Sequence, residues 1–164
     1  MQNILKKNSR KSIRLKNYDY GCNGLYFITI CTKNREHLLG HISNESHVIY
    51  DAGMMIELVW QNLPNYYGGI ETHDFVVMPN HVHGIIELKN SDLELSEIVR
   101  RFKTFTTYNY INGVYDYQWK SFSKKLWQRN YHEHIIRSDA SLEKLQHYIW
   151  NNPLKWRDDV FCLD

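Results

Sequence analysis

Val76 to Leu88 reads VVMPNHVHGIIEL and sets two histidines, His81 and His83, two positions apart. Side chains on a β-strand alternate with a period of two. Both imidazoles therefore point to one face, while Val82, Ile86 and Leu88 point to the other. Imidazole is the commonest metal ligand, and two on one strand face can clamp one ion. Two ligands do not complete a coordination shell, so another donor must come from elsewhere, with open positions left for substrate or water. The last helical stretch offers one. Tyr148 and Asn152 are four apart and lie on the same helix face one turn apart. Asn152 brings a carbonyl oxygen to donate, and Tyr148 a hydroxyl able to attack phosphorus. The same residues also fit plainer roles: a hydrogen-bonded histidine pair, a packing tyrosine, and an asparagine closing a helix before Pro153. A second pair, His132 and His134 around Glu133, raises the further reading of a four-histidine zinc protein.

The elements that must position these residues follow from periodicity and turn residues. Leu25 to Thr32 (LYFITICT) reads as a strand. Asp51 to Leu63 carries Met55, Leu58, Val59 and Leu63 at helical spacing, with Pro64 as its stop. Ile70 to Met78 and His81 to Leu88 form a hairpin. Leu95 to about Tyr110 is an amphipathic helix, with Leu95, Ile98, Phe102, Phe105 and Thr106 on one face and Arg100, Arg101 and Lys103 on another. Asn112-Gly113 breaks it, and Val114 to Lys125 reads as a loop. Leu126 to Arg137 reads as a strand. Ser138 or Asp139 caps a final helix that packs through Leu142, Leu145 and Ile149 and ends at Asn151-Asn152-Pro153. The first six elements follow the ferredoxin-like β-α-β-β-α-β order. The expected fold is α+β, an antiparallel sheet with helices packed on one face, plus a C-terminal helix carrying Tyr148. Residues 1–20 read as a basic arm and residues 21–164 as one domain.

With 164 residues and 43% hydrophobic content, the chain can bury one ordinary core. The formal charge of +2 identifies no partner, but its distribution does. Lys6, Lys7, Arg10, Lys11, Arg14 and Lys16 occur before Asp19 with no acid among them. Between Ser96 and Arg129, seven basic residues face only Glu97 and Asp116. Such clustering is the footprint of a polyanion-binding surface, and the 14% aromatic content adds rings on which unpaired bases can stack. Candidate DNA contacts are Arg10, Lys11, Arg14, Arg100, Arg101, Lys103, Lys120, Lys124, Lys125 and Arg129, with Tyr115, Tyr117 and Trp119 as stacking platforms. Three cysteines without a CxxC argue against a disulfide framework and for a reducing, cytoplasmic setting. No apolar run reaches the roughly 20 residues that span a bilayer.

Taken together, RKSIRLKNYDY (Arg10 to Tyr20), LYFITICT, VVMPNHVHGIIEL, IVRRFKT, LWQRNYHEHIIRS and LEKLQHYIWNNPLKW resemble the single-tyrosine transposases of the HUH class, part of the IS200-like superfamily. The resemblance is greatest to the REP-associated tyrosine transposases, and it runs from about Arg10 to Trp156. It implies a single-strand DNA endonuclease and strand transferase acting at hairpins, through a 5′-phosphotyrosine intermediate and without a nucleotide cofactor. His81, His83 and Asn152 then fall on the ligands of a divalent metal, Mg²⁺ or Mn²⁺, and Tyr148 on the nucleophile. His134 falls on a histidine that supports the site from behind. The same resemblance admits a binding module that recognises DNA hairpins with little turnover. It favours a monomer slightly over a dimer, and a nucleoid-associated location.

Overall fold

A computed structural model of the chain describes residues 23–43 and 46–162. The basic N-terminal run, with Arg10, Lys11 and Arg14, and the boundary at residue 20 lie outside the described residues. Strands β1 (Gly24–Cys31), β4 (Ile70–Met78), β5 (His81–Leu88) and β6 (His132–Ile136) form one antiparallel sheet in the order β4-β5-β1-β6. Helices α1 (Asp51–Tyr66) and α2 (Leu95–Tyr117) connect them in the β-α-β-β-α-β order expected. A two-stranded ribbon, β2 (Gly40–Ser43) and β3 (Ser46–Ile49), is inserted ahead of α1 and is not evident from the sequence pattern.

The sheet separates two cores. Tyr26, Ile28, Ile30, Val77, Val82, Ile86 and Leu88 pack with α1 and α2. The alternate residues carry a smaller cluster, in which Ile85 and Ile136 meet Ile149 of α3 (Asp139–Asn151), with Leu142 and Leu145 packed against it. The helix with Tyr148 therefore covers the face opposite α1 and α2, the face to which the strand period assigns His81 and His83. Ser138 caps α3 by accepting the Ser141 N–H.

Several elements differ from the sequence reading for identifiable reasons. α1 buries Ala52, Gly53, Ile56, Trp60 and Leu63 and leaves Leu58 exposed, so its inner face is rotated from the one expected. It also runs through Pro64 to Tyr66, because a proline this close to the end forfeits only the bond to the Trp60 carbonyl. α2 continues through Asn112-Gly113 to Tyr117. Gly113 is there for contact rather than for breaking: a Cβ would overlap the Trp119 ring, which folds back on the helix end as Gln118 turns left-handed at φ 58°. Gly84 plays a similar part between His83 and Ile85, where a Cβ would lie 2.7 Å from the Trp60 ring and 2.8 Å from that of Phe75.

The strand expected over 126–137 shrinks to His132–Ile136, preceded by a single bridge from Trp127 to Thr32. The carbonyls of Gln128, Arg129 and Asn130 turn instead toward the Lys103 ammonium on α2, at 3.1, 3.4 and 3.2 Å. A ladder cannot form where three successive carbonyls serve one side chain.

Candidate metal and nucleophile site

The tight β4–β5 turn sets the first histidine. Asn80 is fully buried, and its Nδ2 donates to the carbonyls of Arg35 (3.2 Å) and Phe161 (2.9 Å). That fixes the amide orientation and leaves Oδ1 to accept from His81 Nδ1 at 2.8 Å. His81 Nε2 therefore carries a lone pair. It faces His83 Nε2 at 3.0 Å, as the strand period requires. His83 Nδ1 lies 2.7 Å from the hydroxyl of Thr29, its register partner on β1. A hydroxyl either donates or accepts, so Thr29 serves both tautomers of His83, including the one that frees Nε2 for a metal.

Both rings are almost fully buried. Burial pulls the His83 imidazole down to about 3, from an ordinary value of 6.5. Burial, then the neighbouring His83 and Arg35, hold His81 well below 6.5 as well. Both are neutral at physiological pH, the state in which an imidazole can bind a metal. The unfolded chain binds these protons near 6.5 and the folded chain does not. The stabilisation is thus complete above pH 6.5 and is lost as pH falls from 6.5 toward 3. In chelator, Tm is expected to stay flat above pH 7 and to fall below 6.5, at about 1.4 kcal/mol of stability per pH unit for each such histidine. A Tm that holds flat to pH 4 would show that the rings do not stay neutral in the fold.

Tyr148 and Asn152 reach the same place from α3. The Tyr148 hydroxyl is 3.4 Å from His83 Nε2, and its ring stands edge-on to Phe27. Burial, then the Asp159 carboxylate, raise its pKa above the ordinary 10, while an Asn152 hydrogen bond partly offsets them. Asn152 is 3% exposed, and its Oδ1 has no hydrogen-bond partner among the described residues.

Asp159 also belongs to the cluster. Its carboxylate is 2% exposed and lies 3.7 Å from His81 Nε2, with Oδ2 unpartnered among the described residues. Ligand atoms of His81, His83 and Asp159 all lie within 4.8 Å of one another. Asp159 follows a 3-10 turn (Pro153–Asp158) that brings the chain back across the site. Arg35 donates to the Val160 carbonyl at 3.0 Å, and the Phe161 ring sits 4.9 Å from that of His81. In the sequence Asp159 is one of two adjacent acids beyond the last motif and carries no distinguishing signal. Two imidazole nitrogens and an orphaned carboxylate oxygen converge as a donor set that fits a divalent cation, and Asn152, which hydrogen-bonds Tyr148, carries a further orphaned oxygen.

His134 lies exposed in register with Phe27, while the contacts to the imidazole Nδ1 atoms are made by Thr29 and Asn80. His132 is beside the site, 5.9 Å from Phe161, and the four histidines do not form one cluster among the described residues.

The candidate DNA contacts separate by environment. A groove of about 980 Å³ runs between α2 and residues 124–133, lined in part by Arg100, Lys124, Lys125 and Arg129 and ending at His132 and Glu133. Arg100 and Arg101 both bond Glu97, and Arg101 also stacks over Tyr67. Lys103 differs from the contact expected of it: it holds the three loop carbonyls, and burial lowers its pKa to about 8. Lys120 is exposed outside the groove. Tyr115 and Tyr117 are exposed, whereas the Trp119 ring is packed against Gly113 and Tyr110. No helix among the described residues is long and apolar enough to cross a membrane.

Known proteins resemble the chain in sequence and in fold. A Haemophilus influenzae protein of uncharacterised function is 37% identical over 94% of both chains. A second protein of that organism, provisionally described as a REP-associated tyrosine transposase, is 28% identical over 86% of this chain and 77% of its own. The structure of a REP-associated tyrosine transposase bound to a REP hairpin superposes with a TM-score of 0.63 at 24% identity, covering 89% of this chain and 74% of that one. The family described as "Transposase IS200 like" matches residues 22–152, and the chain belongs to that family.

Proposed function

We propose that the protein is a divalent-metal single-strand DNA endonuclease and strand transferase acting at DNA hairpins, with Tyr148 as nucleophile. The observation that carries the reading is the Tyr148 hydroxyl 3.4 Å from an imidazole nitrogen that itself faces a second imidazole at 3.0 Å. His81, His83 and the Asn152 oxygen would hold the cation, and Asp159 would join them. A bound divalent cation supplies Lewis-acid polarisation of the scissile phosphate. Tyr148 Oη attacks phosphorus and the P–O3′ bond breaks, the phenolic proton passing in net to the leaving O3′, which gives a free 3′-hydroxyl and a 5′-phosphotyrosine. The 3′-hydroxyl of another strand can attack the phosphotyrosine in turn, restoring a phosphodiester and the free tyrosine. No nucleotide is consumed.

The basic groove is the reading's DNA track. Arg100, Lys124, Lys125 and Arg129 meet phosphates and Tyr117 offers a stacking face, while the basic arm extends the contact. The unoccupied hydrogen-bonding capacity of the donor set suits Mg²⁺ or Mn²⁺, and two imidazoles favour Mn²⁺ on ligand softness. α3 rests on the sheet of its own chain, which supports a monomer as the working unit and a REP-like hairpin as its substrate, by analogy with the relatives.

The test incubates protein with a panel of hairpin-bearing single strands and Mn²⁺ or Mg²⁺, followed by a denaturing gel. A covalent protein–DNA product, lost in EDTA and restored best by Mn²⁺, is expected. Tight hairpin binding with no covalent product under any metal would favour the binding-module reading instead.

A further inference from the structure

We infer that Asp74 is a positioning residue that fixes the rotation of the tyrosine helix. The inference rests on Tyr148 being the nucleophile. Asp74 Oδ2 accepts from Gln146 Nε2 at 2.7 Å and Oδ1 accepts from Trp150 Nε1 at 2.6 Å. Gln146 and Trp150 are one turn apart on α3, with Tyr148 between them in sequence. One carboxylate thus grips two consecutive turns, using both oxygens.

Its reach across the sheet depends on a β-bulge. β4 pairs Thr72 with Ile86 but Phe75 with Gly84, so His73 and Asp74 together oppose Ile85. The extra residue reverses which parity faces which core. Ile70 packs with α1 and α2, but beyond the bulge Phe75 and Val77 do so, and Val76 joins the α3 side. Asp74 shares the parity of Val76. Without the bulge, the register set by Ile70 would drive the carboxylate into the large apolar core, with no partner for its charge. The bulge aims it at α3 instead.

The position on the helix matters as much as the contact. At about 100° per residue, Gln146 and Trp150 lie on one flank of the Leu142, Leu145 and Ile149 stripe, and Tyr148 and Asn152 on the other. The apolar stripe resists lifting but resists rolling weakly, because aliphatic contacts are non-directional. The two hydrogen bonds from Asp74 are directional and off-axis, so they define the roll. A phenolic oxygen lies about 8 Å from the helix axis, and a roll of about 10° moves it by about 1.4 Å. Displacements of that size cost about 10²-fold in rate for in-line chemistry.

The experiment compares wild type, Asp74→Ala, Asp74→Asn and the paired variant Gln146→Leu/Trp150→Phe. Three quantities are read: single-turnover adduct formation at saturating hairpin with Mn²⁺, hairpin Kd, and hydrogen exchange of the α3 amides. Asp74→Ala is expected to slow adduct formation about 10²-fold with Kd unchanged and α3 exchange accelerated. Asp74→Asn keeps one acceptor and should fall between. The paired variant should reproduce Asp74→Ala, and combining the two should add little. Wild-type adduct rate in a folded Asp74→Ala, or unchanged α3 exchange in that variant, overturns the inference. So does a Kd that weakens in step with the rate, since general loosening of the fold would do that. Should wild type itself form no adduct, the proposed chemistry fails, and the exchange measurement alone decides whether Asp74 holds the helix.

Discussion

Tyr148→Phe is expected to abolish the covalent protein–DNA product while leaving hairpin affinity and Tm nearly unchanged. The substitution removes one oxygen. The ring keeps its edge contact with Phe27 and its packing against the His83 ring, and at 40% exposure it is not part of either buried core. The substitution gives up a long contact to His83, 3.4 Å, and the hydrogen bond with Asn152, a net loss of about 1 kcal/mol that moves Tm only slightly. Loss of the hydroxyl nevertheless removes the only atom on that ring able to attack phosphorus. Denaturing gels report the adduct, and a binding isotherm and a melting curve report the rest. An adduct that persists in this variant would mean that another side chain carries the strand.

His83→Ala is expected to reduce metal-dependent cleavage by about 10³-fold or more, through loss of the cation that neutralises developing charge. Unlike Tyr148, this ring is 1% exposed, stacks on Phe27 and meets the Thr29 hydroxyl, so alanine leaves a cavity and an unpaired hydroxyl and lowers Tm as well. His83→Gln separates the two effects. It preserves much of the volume and hydrogen-bonding capacity, so Tm should recover while cleavage stays low. Assays at a temperature where each variant is folded, across a Mn²⁺ titration, decide the matter. Full activity at wild-type metal concentration in His83→Gln would remove His83 from the ligand set.

The sequence conveys the parts of the site that depend on local periodicity. His81 and His83 share a face because a strand alternates, and Met-Pro-Asn marks the turn ahead of them. Tyr148 and Asn152 share a face because a helix turns every 3.6 residues, and Ser138 signals where that helix begins. What depends on long-range packing is silent in the sequence. Gly113 reads as a helix breaker until Trp119 is seen lying against it. Ala52 and Gly53 read as weakly apolar, yet they face the core where Leu58 does not. The carbonyls of residues 128–130 look ready for a sheet until Lys103 claims them. Asp159 enters the metal cluster only because the 3-10 turn after α3 folds back. Asp74 faces the tyrosine helix only because a single extra residue reverses the strand's phase.

The small second core sets how this site divides mechanically. β5 is buried along almost its whole length and hydrogen-bonded on both sides, so His81 and His83 stand among the last groups to open in any local fluctuation. α3 buries one residue of its own, Ile149, which completes a buried cluster of three with Ile85 and Ile136. Opening it costs far less than opening the sheet. The site therefore has one fixed jaw, carrying His81 and His83, and one hinged jaw, carrying Tyr148 and Asn152. In the proposed reaction, a cleaved strand joined to Tyr148 rides on the hinged one. It can be swung, together with Asn152, toward a new 3′-hydroxyl while His81 and His83 stay where they are.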